Sequence, residues 1–179
     1  MKTLLILAVT LLSFCVRAEE MHLVAGMRSD SADATTSGSN VDGKANFQAG
    51  GIGYWDTSDN LKLRSGLVYT QRSYDVQSGS TVVSEPRLSY LDIPISGLFK
   101  INDFAGAFAG LNGSFNINKD CGSGSCTGVN TFPIAGQLGG AFEIADRLGL
   151  ELYYEHGLTK IADDIENPRV FVGQLTYAF

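Results

Sequence analysis

Past its first residues, the chain of 179 residues has no long apolar run. A helix needs about 20 consecutive apolar residues to cross a bilayer, so no helical span is available. Positive charge is scarce too. The 13 Lys and Arg face 19 Asp and Glu, a net charge of −6. A chain of that sign does not hold nucleic acid through its net field. There is no phosphate-binding loop, no nucleotide fingerprint and no spacing of His, Cys and acids typical of a metal site. No catalytic, cofactor-binding or metal-binding residue is therefore expected.

Cysteine is nearly absent. Of the three cysteines, Cys15 follows Phe14, where lipid attachment wants a small residue. The other two, Cys121 and Cys126, frame the stretch CGSGSC. In an oxidising compartment a disulfide between them is the default. Closing so short a loop contributes roughly 2 kcal/mol, less any strain. Metal binding is the alternative, but no further Cys or His stands nearby.

What is present begins with MKTLLILAVTLLSFCVRAEE. Lys2 is a short positive region, residues 4–16 are apolar, and Val16-Arg17-Ala18 carries small residues at the −3 and −1 positions of a cleavage site. Residues 1–18 read as a cleaved signal peptide, with an uncleaved anchor as the alternative, and residues 19–179 as one domain. Cleavage removes two of the 13 cations and none of the 19 acids, so the net charge moves from −6 to −8. Glycine, at 21 residues, and the 17 Phe and Tyr together point to an exported all-β protein.

Period-two alternation recurs along the domain and marks strands. Eight are expected, at about 21–28, 46–55, 61–74, 90–100, 104–117, 132–144, 148–158 and 170–179. In the second, Phe47, Ala49 and Trp55 suggest one outward face and Ile52 and Tyr54 the other, which leaves its parity open; a bulge at Gly50-Gly51 would reconcile them. Many of these strands match the nine to eleven residues of a membrane crossing better than the five or six of an ordinary sheet. The connections alternate between long polar loops, such as 29–44, 75–85, 118–130 and 159–168, and tight turns. This is the layout of an all-β, eight-stranded antiparallel up-and-down transmembrane β-barrel in the outer membrane of a Gram-negative envelope. A soluble exported barrel or sandwich is the alternative.

In such a barrel the apolar face of each strand meets lipid and the other face fills the lumen. By parity, the lumen receives Arg64, Arg72, Asp92, Gln137, Glu143, Glu151 and Glu155. Buried charges must pair, so a salt-bridge network is expected, with Arg64 level with Glu151 and Asp92 near an arginine of the third strand. A proton or ion path through it is the alternative. Pro94 lacks an N–H and should leave a gap in the ladder. Trp55, Phe99, Phe104, Phe142, Tyr177 and Phe179 would form one aromatic girdle, and Tyr74, Phe115 and Phe132 the other.

The run SYLDIPISGLFK resembles the "YLEIPLLLK" strand of the PorT-like outer membrane β-barrel family. The segments SDNLKLRSGLVYTQRSY, RLGLELYYEHGLTKI and VGQLTYAF are similar to that family's third and last two strands. Ser96 and Gly97 depart from a usually apolar pattern, and the cysteine loop is an addition. The resemblance implies a small barrel of the OmpA/OmpX type; some members support secretion and gliding, and most have no assigned role. A lipid-modifying enzyme similar to the lipid A deacylases would need a His-x-Ser pair with an acid; His156 stands beside Glu155, but position 158 is Leu158. His22 reads as an interfacial residue. The expectation is thus a non-enzymatic protein with a structural or surface-interaction role, long extracellular loops, outer-membrane lipid around it and envelope or extracellular proteins as partners. A small porin-like channel or secretion-system component is the alternative, and a lipid-modifying enzyme a second one.

Overall fold

The computed structural model describes residues 18–35, 39–78, 81–121, 128–163 and 165–179. The expected signal peptide therefore lies, except for Ala18, outside the described residues, and so does Cys126, with its expected link to Cys121. Among the described residues ten strands are formed: β1 Glu20–Ala34, β2 Ser39–Gly43, β3 Ala45–Ser58, β4 Leu61–Ser78, β5 Thr81–Ser84, β6 Arg87–Asn102, β7 Ala105–Asp120, β8 Ile134–Ala145, β9 Leu148–Gly157 and β10 Ile165–Ala178. Eight of them close a ring in the order β1-β3-β4-β6-β7-β8-β9-β10, and β10 returns to pair with β1 from His22↔Ala178 upward. Every pairing in it is antiparallel. The short β2 and β5 both pair with the upper part of β4.

Alternation sets which way each residue points. In β6, Leu88, Tyr90, Asp92, Pro94, Ser96 and Leu98 are buried, while Ile95 and Phe99, of the opposite parity, are exposed. Across the ring the result is inverted relative to a soluble protein. Large apolar side chains such as Leu23, Met27, Leu138 and Phe171 lie on the outside, and arginines, acids and amides are buried inside. Such an apolar belt is stable only against lipid. The turns after β3, β6 and β8 are two residues long, and Arg147 in the last has φ of 66°, the left-handed conformation such hairpins use. At 18 residues, β4 runs roughly 60 Å along its length, well beyond a membrane crossing, so the barrel projects on the long-loop side.

Three sequence expectations need correction here. Residues 29–44 are not one loop: β1 continues to Ala34 by pairing with β10 up to Ile165, and β2 continues along β4. The loop expected at 75–85 likewise yields the end of β4 and all of β5. Backbone pairing supplies these bonds whatever the side chains, so a polar stretch extends a hairpin as readily as an apolar one. No bulge occurs at Gly50-Gly51, where register runs unbroken against both neighbours. Ile52 and Tyr54 simply point inward, at 0 % and 5 % exposure, because the lower lumen is partly apolar and packs them with Val24, Val68, Leu98 and Phe108. At Pro94 the β4–β6 ladder passes from Ser65↔Ile95 to Val68↔Asp92 without a register shift, leaving two pairs unformed.

The long-loop end is closed. Tyr74, Leu88, Tyr90 and Val41 pack with Ile161 and Ala162 from the connection between β9 and β10 and with Ile165 at the start of β10. Tyr74, expected in the outer girdle, is fully buried there; its strand has passed above the apolar belt, and its ring turns inward into this cluster. The connection is tied down by Asn130 N–H to the Ile161 carbonyl at 2.8 Å and by Thr35 Oγ1 to the Asp163 carbonyl at 2.9 Å.

Candidate functional site: the filled lumen

The lumen is built in layers from inward positions of successive strands. Nearest the short turns, Lys62 of β4 reaches Glu20 of β1 at 2.5 Å and Asp56 of β3 at 3.5 Å. Glu20, His22, Tyr54, Lys62, Leu98 and Glu151 help line a vestibule of about 410 Å3 that opens at this end. Small inward residues on the opposite wall, Gly106, Ala141 and Gly149, leave the room for it.

The next layer centres on Glu151. Arg64 donates to it from Nε at 3.0 Å and Nη2 at 2.6 Å, Tyr54 Oη donates at 2.7 Å and Gln174 Nε2 at 2.6 Å. The Arg64 guanidinium also sits 4.6 Å from the Phe108 ring centre. Such a two-pronged, fully hydrogen-bonded pair meets the condition under which buried charges are tolerated. Gln48 links upward, donating to Tyr153 Oη at 2.8 Å and contacting Gln174.

Above it a larger cluster joins six strands. Arg72 donates to Asp92 at 2.9 Å and to Ser114 at 2.7 Å, with its guanidinium 4.4 Å from the Tyr90 ring centre. Thr70 donates to Asp92 at 3.1 Å, and Asn112 donates to both Asp92 and Glu155. Arg28 pairs with Asp30 at 3.0 Å and lies 3.5 Å from Glu155 and 3.7 Å from Asp92. Asn46 donates to Asp30 at 2.9 Å.

Of the lumen residues read from the sequence, Arg64, Arg72, Asp92, Glu151 and Glu155 come together in these two layers, and Gln137 is buried nearby, donating to the Leu111 carbonyl. Glu143 does not join them. It is exposed where β8 reaches its turn, below the charged layers, so parity alone placed it too deep. The sequence reading missed Arg28, Asp30, Gln48, Asn112 and Gln174. Arg28 shares the inward parity of Val24, which was a usable signal; Asp30 was hidden because its stretch read as loop. In chemical terms the arrangement neutralises, hydrogen-bonds and fills. Among the described residues no group of three or more His, Cys, Asp and Glu could hold a metal ion.

Comparison with known proteins points the same way as the geometry. Residues 22–163 match the family described as outer membrane protein beta-barrel domain. No curated protein matches the sequence. Among solved structures, the fold is similar to the outer membrane protein OprG from Pseudomonas aeruginosa, at 13 % identity and a TM-score of 0.57 over 90 % of this chain and 96 % of that one. It is also similar to Ail, the attachment invasion locus protein of Yersinia pestis, at 13 % identity and a TM-score of 0.53 over 89 % and 98 %. A designed transmembrane β-barrel gives 12 % identity and a TM-score of 0.53 over 91 % and 98 %. Identities this low carry the fold alone.

Proposed function

The chain belongs to the outer membrane protein beta-barrel domain family and resides in the outer membrane, and from that premise we propose a non-enzymatic protein with a structural or surface-interaction role. The observation that carries this reading is the filled lumen. Two hydrogen-bonded charge layers and an apolar stopper lie in series along it, and the cavity between the layers is only about 10 Å3. A barrel built this way spends its interior on stiffness and offers its projecting hairpins to the surroundings. Outer-membrane lipid surrounds the belt, and envelope or extracellular proteins are the partners that the long-loop end would meet. The finer kinship with PorT-like barrels, export through a signal peptide of residues 1–18, and a Cys121–Cys126 disulfide stapling the β7–β8 loop belong to the same proposal. Ail is an attachment protein by its name; its likeness to this chain supports the architecture only.

The test is conductance. Residues 19–179, refolded and inserted in a planar bilayer, should give no sustained single-channel steps. Reproducible steps of fixed size would overturn the filled-lumen reading and favour a small channel.

A further inference from the structure

Between the two charge layers lies the cavity of about 10 Å3, lined by Gln48, Asn112, Thr70, Asp92, Glu155 and the Arg64 side chain, among others. That is about the space of one water-sized sphere. The orientation of its two amides is forced. Gln174 donates from Nε2 to the Glu151 carboxylate at 2.6 Å, so its oxygen faces Gln48, which must present Nε2 there. Asn112 stands between the carboxylates of Asp92 at 3.2 Å and Glu155 at 3.0 Å, so its Nδ2 must face them. Both residues line the cavity, and each amide is left with its carbonyl oxygen unpaired. Gln48 and Asn112 are 2 % and 3 % exposed, and neither Oε1 nor Oδ1 meets a donor among the described residues.

Within the two charged layers one negative charge is in excess; Lys62, the fourth buried cation, pairs below them with Glu20 and Asp56. Arg28, Arg64 and Arg72 face Asp30, Asp92, Glu151 and Glu155, all buried. Arg64 is matched by Glu151, Arg72 by Asp92, and Arg28 by Asp30. Glu155 is left with a share of Arg28 at 3.5 Å. It borders the cavity.

We propose that this cavity binds one monovalent cation of about the size of water, such as potassium or ammonium, held by Gln48 Oε1, Asn112 Oδ1 and the Glu155 carboxylate. A water molecule would satisfy the two oxygens and leave the charge. A proton on a carboxylate would remove the charge and leave the oxygens. One cation does both at once, where a water and a proton would be needed together, and an unneutralised charge or an unpartnered acceptor is costly in a lumen without bulk water. The bound ion would join the upper and lower layers into one closed plug.

The experiment compares unfolding of the refolded protein in detergent in potassium chloride and in choline chloride at equal concentration, choline being too large to enter. Potassium should stabilise the protein, with the folding constant rising about tenfold per tenfold increase in potassium above its dissociation constant. Glu155→Gln should abolish that dependence, and Glu143→Gln, at the exposed short-turn end, should keep it. Crystals grown in thallous acetate should show an anomalous peak in the cavity, a measurement that does not depend on the variants folding. Equal unfolding midpoints in the two salts, or an anomalous map without that peak, would mean water or a proton instead and would overturn the proposal.

Discussion

Replacing Arg64 with methionine tests how the lumen is held together. Methionine keeps an unbranched chain against Phe108 and removes the fork that gives Glu151 two of its four hydrogen bonds. Glu151, at 1 % exposure, keeps the Tyr54 and Gln174 donors and loses its cation. Breaking a buried pair from one side costs about 3–5 kcal/mol. With half of the donors retained, the lower end applies, about 3 kcal/mol or a little over a hundredfold in the folding constant. Adding Glu151→Gln removes the stranded charge and leaves an oxygen for Tyr54 and Gln174. The double variant should therefore recover about 2 kcal/mol relative to Arg64→Met alone, within the coupling range of contacting residues. Urea unfolding in detergent micelles, followed by fluorescence and by the mobility difference between heated and unheated samples on gels, gives both numbers. A stability for Arg64→Met within about 0.5 kcal/mol of the parent, the range of an inconsequential surface change, would refute a lumen held by this pair. Further destabilisation of the single variant by Glu151→Gln would refute it equally.

Gly66→Ala would place a Cβ 2.2 Å from the Gly51 carbonyl oxygen, backbone that cannot yield; a loss of about 1–3 kcal/mol is expected in the same urea assay. Ile165→Ala should open the stopper, cost about 2–5 kcal/mol locally, and speed hydrogen exchange at the Asn130 and Ile161 amides while leaving β8 and β9 protected. Without prior reduction, Cys121 and Cys126 should resist alkylation, and replacing both with serine should cost about 2 kcal/mol or less; ready alkylation would exclude the staple.

Much of the fold could be read along the chain. Strand period is a local property: Ile95 and Phe99 alternate with Asp92, Pro94 and Ser96 in the sequence as they do on the two faces of β6. The tight turns, carrying pairs such as Asp146-Arg147, announce themselves equally locally. Inward and outward faces, strand count and membrane location all follow from such features, because a barrel strand needs only its own alternation to choose a side. The same logic placed Arg64, Arg72, Asp92, Glu151 and Glu155 inside.

Depth and partnership are different in kind. Glu143 has the right parity, yet it ends up exposed below the charged layers, because height depends on the register of every pairing around the ring. Arg28 meets Glu155 only because β10 closes against β1 and brings β9 to its side, a contact between residues far apart in the chain. The upward continuation of β1 past Ser29 depends on β10 standing beside it, and the burial of Tyr74 depends on Ile161 and Ile165 folding over the lumen. The alternation of side chains is written residue by residue, so the sequence alone determined the barrel and its two faces. Which charges meet, which amide oxygens are left over, and that the outer end is stoppered were decided by closure and register, which no single stretch of the chain contains.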